Sequence, residues 1–287
     1  MKFHIIVAMY NVDEWIEENI QLLKKQTFKN FQAIFIDDLS SDKTVSFVQS
    51  AVNNDPRFNL VVNQEKKFKT RNVVEAIEIA SPADDDVIVL VDGDDRLSNE
   101  NVLQILYDTY NDKDCWMTYG SYSYSDGSRY KKCSPYQKAI IDNNQYRKTS
   151  WLASHLKTFK YKLWKQLDMS VFQVSPRDIK RARLRALLKL QLRTWYYWKN
   201  ITAEDLHDES GRYIRRIDDK ALSFALLEMS GDRAQHIENE LYVHRSERAP
   251  YSGPDETYGK GRSEKWHSRL IRDVILHQKP YSRRKFL

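Results

Sequence analysis

Val87-Ile88-Val89-Leu90-Val91-Asp92-Gly93-Asp94-Asp95 is the stretch whose reading decides the fold. Five apolar, mostly β-branched residues run together and stop at three carboxylates set around one glycine. The run has no polar alternation, so it predicts a strand buried on both faces, as in a parallel sheet. The carboxylates then fall just past the strand's C-terminal end, where open α/β sheets bind ligands. Like charges this close repel one another. They are tolerated as a solvated acidic turn or around a cation. An oxygen-only set suits Mg2+ or Mn2+, ions that arrive with substrate phosphates.

Working outward, the N-terminal third alternates strand and helix patterns. Strands are predicted over Phe3 to Ala8, Phe31 to Ile36, Phe58 to Val62 and Val87 to Val91, with a further strand over Trp116 to Tyr124. Helices are predicted over Asp13 to Lys25, from the Ser40-Ser41-Asp42 caps through Ala51, over Asn72 to Ile79, and over Asn101 to Tyr110. This series implies an α/β fold: a Rossmann-like, mostly parallel sheet flanked by helices, with right-handed crossovers. No GxGxxG or Walker-type loop follows any strand, which disfavours NAD and P-loop chemistry. The second half is basic, aromatic and more helical, and Glu264 to His277 reads as a surface helix.

The bulk numbers bound the rest. A chain of 287 residues suffices for one large domain or two modest ones. With 41% hydrophobic and 30% charged residues it is globular, not disordered. A net charge of +6 fits an anionic ligand, an acidic membrane surface or nucleic acid without choosing among them. Cys115 and Cys133 cannot build a disulfide framework or a zinc site. The N-terminus runs straight into a strand pattern without a cleavage signal, and no apolar run is long enough to span a bilayer. The expectation is a cytoplasmic protein, with peripheral contact at the inner membrane surface as a candidate.

Two acidic groups close neighbouring strands: Asp37-Asp38, and Asp92 to Asp95. Parallel strands point the same way, so both groups belong to one sheet edge. A nucleotide accounts for both, with one carboxylate on the base or ribose and the others carrying a metal under the diphosphate. Arg71, at the predicted start of the third helix, could neutralise phosphate oxygens or brace the acidic cluster.

Five segments then carry a resemblance. Ile5-Ile6-Val7-Ala8-Met9-Tyr10-Asn11, Gln26-Thr27-Phe28, Ile36 to Thr44, Thr70-Arg71-Asn72 and Val91 to Asp95 occur in the order seen in family 2 glycosyltransferases. Ala-Met stands where that family commonly has Ile/Val-Pro, and Leu39 where Gly is common. Further on, Ser154-His155-Leu156-Lys157-Thr158-Phe159 resembles the "HLRTF" segment of one bacterial and viral branch. Asp218-Asp219, Gly231 and Glu240 to Arg245 resemble the family's "ED…G…E.LYxYR" region, and Pro280-Tyr281 matches the branch's ending. Only Met169 to Asn200 looks like an insertion.

The resemblance implies a GT-A fold in three parts. Residues 1–125 form the nucleotide-sugar-binding half, 126–250 the acceptor-binding and catalytic half with its insertion at about 169–200, and 251–287 a C-terminal helix and basic tail. It implies a metal-dependent, inverting transfer from a nucleoside-diphosphate sugar, commonly UDP-linked, to a glycan, lipid-linked or other hydroxyl acceptor. Mn2+ or Mg2+ is the implied cofactor, held by Asp94 with Asp92 in support. Ala8, Tyr10, Asn11, Asp37, Asp38, Arg71, Asp92, Gly93 and Asp95 are the implied donor-site residues. His155 and Lys157 are candidates for the diphosphate or acceptor. Asp219, preceded by Asp218, is the implied base, its pKa raised by burial beside the donor. Without the resemblance, Asp218-Asp219 reads as a helix-start acidic pair. His244 is a candidate metal ligand, its other reading a structural or solvated histidine. Intact Asp92, Asp94, Arg71 and Asp219 argue against a non-catalytic scaffold that kept the fold.

Lys180 to Lys199 mixes seven basic residues with leucines and ends in Trp195-Tyr196-Tyr197-Trp198. As a basic amphipathic helix it could lie on an anionic membrane. Its leucines could instead cover the sheet or a partner subunit. Its cations and rings could also hold a nucleic acid, as for a transferase acting on modified bases, but nothing else in the chain supports that reading.

Overall fold

The computed structural model describes residues 1–53, 55–128, 133–215, 218–246 and 262–284. Among the described residues, eight strands form one sheet: β1 (Phe3–Met9), β2 (Phe31–Asp37), β3 (Phe58–Val62), β4 (Val87–Asp92), β5 (Arg96–Leu97), β6 (Met117–Tyr124), β7 (Ser154–Lys160) and β8 (Ala234–His244). Their order is β3-β2-β1-β4-β7-β6-β8-β5. The first four are mutually parallel, as the alternating pattern predicts. β7 runs antiparallel to both β4 and β6, and so joins the N-terminal half to the rest. β6 and β8 are parallel, and β5 pairs antiparallel with β8. The result is an α/β architecture with a mostly parallel sheet flanked by helices.

The helices are α1 (Ile16–Lys25), α2 (Thr44–Val52), α3 (Phe68–Ala80), α4 (Val102–Asp112), α5 (Lys138–Asp142), α6 (Tyr161–Trp164), α7 (Pro176–Leu188), α8 (Leu192–Trp198), α9 (Asp218–Ser230) and α10 (Arg262–His277). Side-chain alternation along the central strands sorts them into two layers. Phe3, Ile5 and Val7 of β1, with Val87, Val89 and Val91 of β4, pack under α1, α2 and α4. Ile6 and Ile88 face the other way, toward α3, α9 and α10. Both faces of β4 are therefore covered, which is why its sequence has no polar alternation.

Three expectations need correction. Helix α3 begins at Phe68, so Arg71 lies within its first turn instead of opening it. The single basic helix expected within Lys180 to Lys199 is two helices, broken where Leu190 takes φ 54. Helix α7 starts at Pro176 in a capping box between Ser175 and Asp178. Its leucines do not cover the sheet. Ile179, Ala182 and Ala186 form its buried face, and Leu184, Leu187 and Leu188 are exposed.

The C-terminal layer is locked by a buried ion pair. The Arg147 guanidinium donates through Nε to Glu228 Oε1 at 2.5 Å and through Nη2 to Oε2 at 2.9 Å. Arg147 also donates to the Ile275 carbonyl of α10, and the Tyr281 amide donates to Glu228. One pair thus ties α9, α10 and the Pro280-Tyr281 turn together. Removing one partner strands the other charge in the core. Arg147→Met should therefore lower the free energy of unfolding by about 3–5 kcal/mol, read as a shift in denaturant midpoint. A shift under about 1 kcal/mol, within the range of exposed ion pairs, would show that the pair is solvated.

Candidate active site

The C-terminal ends of β1, β2 and β4 meet at one edge. Met9 is in register with Asp37, and Ala8 with both Ile36 and Asp92. The two acidic groups therefore flank β1 on the same edge, about 10 Å apart by strand spacing. Gly93 closes the turn against β1, its amide bonded to the Ala8 carbonyl. A Cβ there would sit 2.7 Å from the Met9 Cβ, so a side chain would push the acidic turn off the strand. The amide side chain of Asn19, buried on α1, donates to the Asp95 carbonyl at 2.8 Å and fixes the turn from below.

The two residues after β2 are turned inward. Asp37 is fully buried, accepts the Ser40 amide through one oxygen and leaves the other without a hydrogen-bond partner. Burial pushes its carboxyl pKa up. Asp38 accepts the Lys67 and Phe68 amides at the start of α3, with Lys66 3.4 Å away. Asp38 thereby clamps α3 to the end of β2. Leu39 takes φ 65, a left-handed conformation that explains why Gly is common at this position in the resembling family. Asn11 bridges to the same loop, its amide donating to Ser40 Oγ and its side-chain oxygen accepting the Ser41 amide. Lys66 lies over the Tyr10 ring. Arg71 is held by Glu65, Glu75 and, at 3.8 Å, Asp208, in the segment that follows α8.

The acidic turn after β4 divides its charges. Asp92, Asp94 and Asp95 offer oxygens that all lie within 4.8 Å of one another. Asp92 pairs with Lys69 at 2.5 Å. Burial alone would raise its pKa, but Lys69, His155 and Lys157 together hold it well below the ordinary carboxylate range. Asp95 is buried and accepts the Tyr242 hydroxyl at 2.9 Å and the Arg245 amide at 2.9 Å. Burial, reinforced by Asp94 and Asp92, pushes it up to about 7. The Asp94 carbonyl accepts from Arg245 Nε. Hard oxygen donors at this spacing fit a divalent cation. Asp92 and Asp94 would hold it, being partly exposed where Asp95 is buried. His244 stands beside the group, its Nδ1 3.6 Å from Asp95 and 3.0 Å from the Arg245 carbonyl.

Across the edge, Lys157 of β7 is buried and lies 3.5 Å from Asp219 in the first turn of α9. The expected rise in the Asp219 pKa does not occur. Burial raises it, but Lys157, Lys69, His155 and Lys220 bring the net shift below the ordinary value. His155 stacks on Tyr242 with ring centroids 4.6 Å apart. Burial and the neighbouring Lys157 lower it to about 3, so it is neutral at physiological pH. Asp218 begins α9, and its side chain lies outside the described residues.

The structure therefore brings Asp92, Asp94, Asp95, His155, Lys157 and Asp219 to one place. Sequence reasoning missed Lys69, Tyr242, Arg245 and Asp208 as members of the site. Tyr242 and Arg245 lay within a quoted motif without a role. Nothing local marks Lys69 among Lys66, Lys67 and Lys69, or Asp208 in its loop.

A parallel sheet with acidic strand ends, extended through an antiparallel strand into a second half, is the GT-A architecture. The chain belongs to glycosyl transferase family 2, whose family model matches residues 4–172. Among curated relatives, glycosyltransferase GlyG of Streptococcus pneumoniae is 30% identical over 129 residues, 44% of this chain and 42% of that protein. Poly(ribitol-phosphate) β-N-acetylglucosaminyltransferase TarS of Staphylococcus aureus is 32% identical over 109 residues, 36% of this chain and 18% of that one. The chain thus matches less than half the length of each. Among solved structures, TarS in complex with UDP-GlcNAc superposes with a TM-score of 0.59 at 16% identity, covering 96% of this chain and 67% of that one. Mannosyltransferase PcManGT from Pyrobaculum calidifontis, in complex with GDP-Man and Mn2+, gives 0.51 at 15% identity, covering 96% and 70%.

The raised carboxyl of Asp95 has a stability consequence. Its folded-state pKa exceeds that of the unfolded chain, so the native state holds a proton that the unfolded state releases. The associated stability is present below about pH 4 and is lost as pH rises toward 7. Relative to Asp95→Asn, the metal-free wild type should lose up to about 1.4 kcal/mol per pH unit across that window. Denaturant melts of both proteins at a series of pH values measure this, and a flat difference would contradict the shift.

Proposed function

We propose that this chain transfers a sugar from a nucleoside-diphosphate sugar, UDP-linked, to a hydroxyl of a glycan or lipid-linked acceptor, with inversion at the anomeric carbon. The observation that carries this reading is the meeting, at one sheet edge, of the Asp92-Asp94 pair with the Lys157-Asp219 pair. Family membership and the fold likeness to TarS with UDP-GlcNAc support it. A divalent cation held by Asp92 and Asp94 would neutralise the diphosphate as it leaves; Mn2+ is the ion present with the PcManGT neighbour.

The chain's own residues supply the rest. Lys69 and Lys157 present two cations to the same edge, each matched to a carboxylate. A diphosphate competes for both. Drawing Lys157 away from Asp219 would remove the charge that depresses its pKa and so make Asp219 a better base. Asp219 would then accept the acceptor hydroxyl's proton, while the acceptor oxygen bonds to the anomeric carbon and the diphosphate departs. Tyr242, bonded to Asp95 and stacked on His155, keeps this half of the site aligned with the acidic turn.

Two experiments test this. In thermal shift, UDP-GlcNAc with Mn2+ should stabilise the wild type by about 2.7 kcal/mol at about 100 times Kd, and Asp94→Ala should abolish the metal-dependent part. Silence across UDP, GDP and CMP sugars would favour a non-catalytic scaffold. In kinetics, Asp219→Asn should keep donor binding and lose transfer by about 10²–10⁴-fold. The acid limb of kcat/KM should move to higher pH in Lys157→Met, because losing the cation raises the Asp219 pKa. An unmoved limb would remove Asp219 from the role of base.

A further inference from the structure

The helical hairpin α7–α8 stands out among the described residues for what it leaves uncovered. Leu188, Leu190 and Leu192 at its tip are 76%, 82% and 63% exposed, and Leu184, Leu187 and Tyr196 continue the patch along the two helices. The tip is ordered by its own backbone: the Leu190 amide bonds to the Leu187 carbonyl and the Gln191 amide to the Ala186 carbonyl. The hairpin is also firmly seated from behind. Arg183 donates to the Trp198 and Ile201 carbonyls, Arg185 pairs with Asp273, Trp198 donates to the Trp266 carbonyl, and Tyr197 stacks on Trp266. A rigid mount that presents leucines outward is not a failure of packing. Contiguous exposed apolar surface of this kind marks an interaction site.

The charge around the patch selects the partner. Between Pro176 and Lys199 there are eight Lys and Arg residues and one acid, Asp178, which caps α7. Arg183 and Arg185 serve the mount, and Arg177, Lys180, Arg181, Lys189, Arg193 and Lys199 are exposed. A second copy of the chain would set these cations against their equals. An anionic lipid surface would take leucines into its acyl boundary while long basic stems reach its headgroups. We propose that the α7–α8 hairpin docks the protein on an anionic membrane surface, with Leu188, Leu190 and Leu192 inserted and the surrounding cations on lipid headgroups. The docked element is joined to the active site. The Ile214 amide bonds to the Phe172 carbonyl just before α7, and Thr70, beside Lys69 and Arg71, donates to the Ile214 carbonyl.

The test is co-sedimentation of the full chain with phosphatidylcholine vesicles, with and without phosphatidylglycerol. The wild type should be retained by the anionic vesicles only, and less as salt rises. Leu188→Ser/Leu190→Ser/Leu192→Ser and, separately, Lys180→Glu/Arg181→Glu/Arg193→Glu should each weaken retention at least about tenfold. Both should keep the wild-type melting transition, because none of these side chains is buried. Absence of retention by the folded wild type would overturn the proposal, as would unchanged retention in the leucine variant. A wild-type dimer in sedimentation equilibrium that the leucine variant breaks, without vesicle binding, would assign the patch to a second copy instead.

Discussion

Three carboxylates within 4.8 Å of one another at the end of a buried strand are the constraint to which the surrounding structure answers. At that separation two unit charges repel by about 3–4 kcal/mol, even at an effective dielectric of about 20. A turn this crowded holds together only if each carboxylate meets a different partner. Asp92 takes the Lys69 ammonium. Asp95 takes a tyrosine hydroxyl and a backbone amide, and its pKa rises to about 7. The repulsion is thus relieved by an ion pair at Asp92 and by burial and hydrogen bonding at Asp95, which leaves hard oxygens that a divalent cation could join.

The partners come from far along the chain. Tyr242 and Arg245 lie 147 and 150 positions beyond Asp95, and they arrive because β8 pairs with the two-residue strand β5 that follows the turn. β7 performs the other join, pairing with β4 and carrying His155 and Lys157 to the same edge. The second half of the chain is therefore part of the same sheet, and the acidic turn becomes a site only once that sheet is complete. The Arg147–Glu228 pair holds the helical layer behind it by the same device, a charge buried with its counter-charge.

The N-terminal half is legible in the sequence because its structure is local. Phe3 to Ala8, Phe31 to Ile36 and Val87 to Val91 are apolar runs long enough for one buried strand each, and helix patterns separate them. The second half is not legible in the same way. Ser154 to Phe159 sets two polar residues before each apolar one and shows no strand period, and it becomes a strand by lying between β4 and β6. The break at Leu190 was invisible because leucine is a good helix former, and nothing in its chemistry announces a left-handed φ. The site followed the same division. Asp92, Asp94 and Asp95 could be read from one strand end, whereas Lys69 needed the geometry of α3 against β4. The direction of the Asp219 shift needed the position of Lys157, since burial and a neighbouring cation act with opposite sign.

That opposition bears on the proposed reaction. A carboxylate depressed by a lysine stays ionised across the physiological range but binds a proton weakly. A base that is always available and weak at rest is suited to a site where proton transfer must wait for the leaving group. On the proposed reading a diphosphate would draw on the lysine that restrains Asp219 and on Lys69, which pairs with Asp92. On that reading both lysines would have a stronger claimant, and both carboxylates would be released together, one toward a metal and one toward a hydroxyl proton. On the proposed reading, donor binding and activation of the base are then a single electrostatic event.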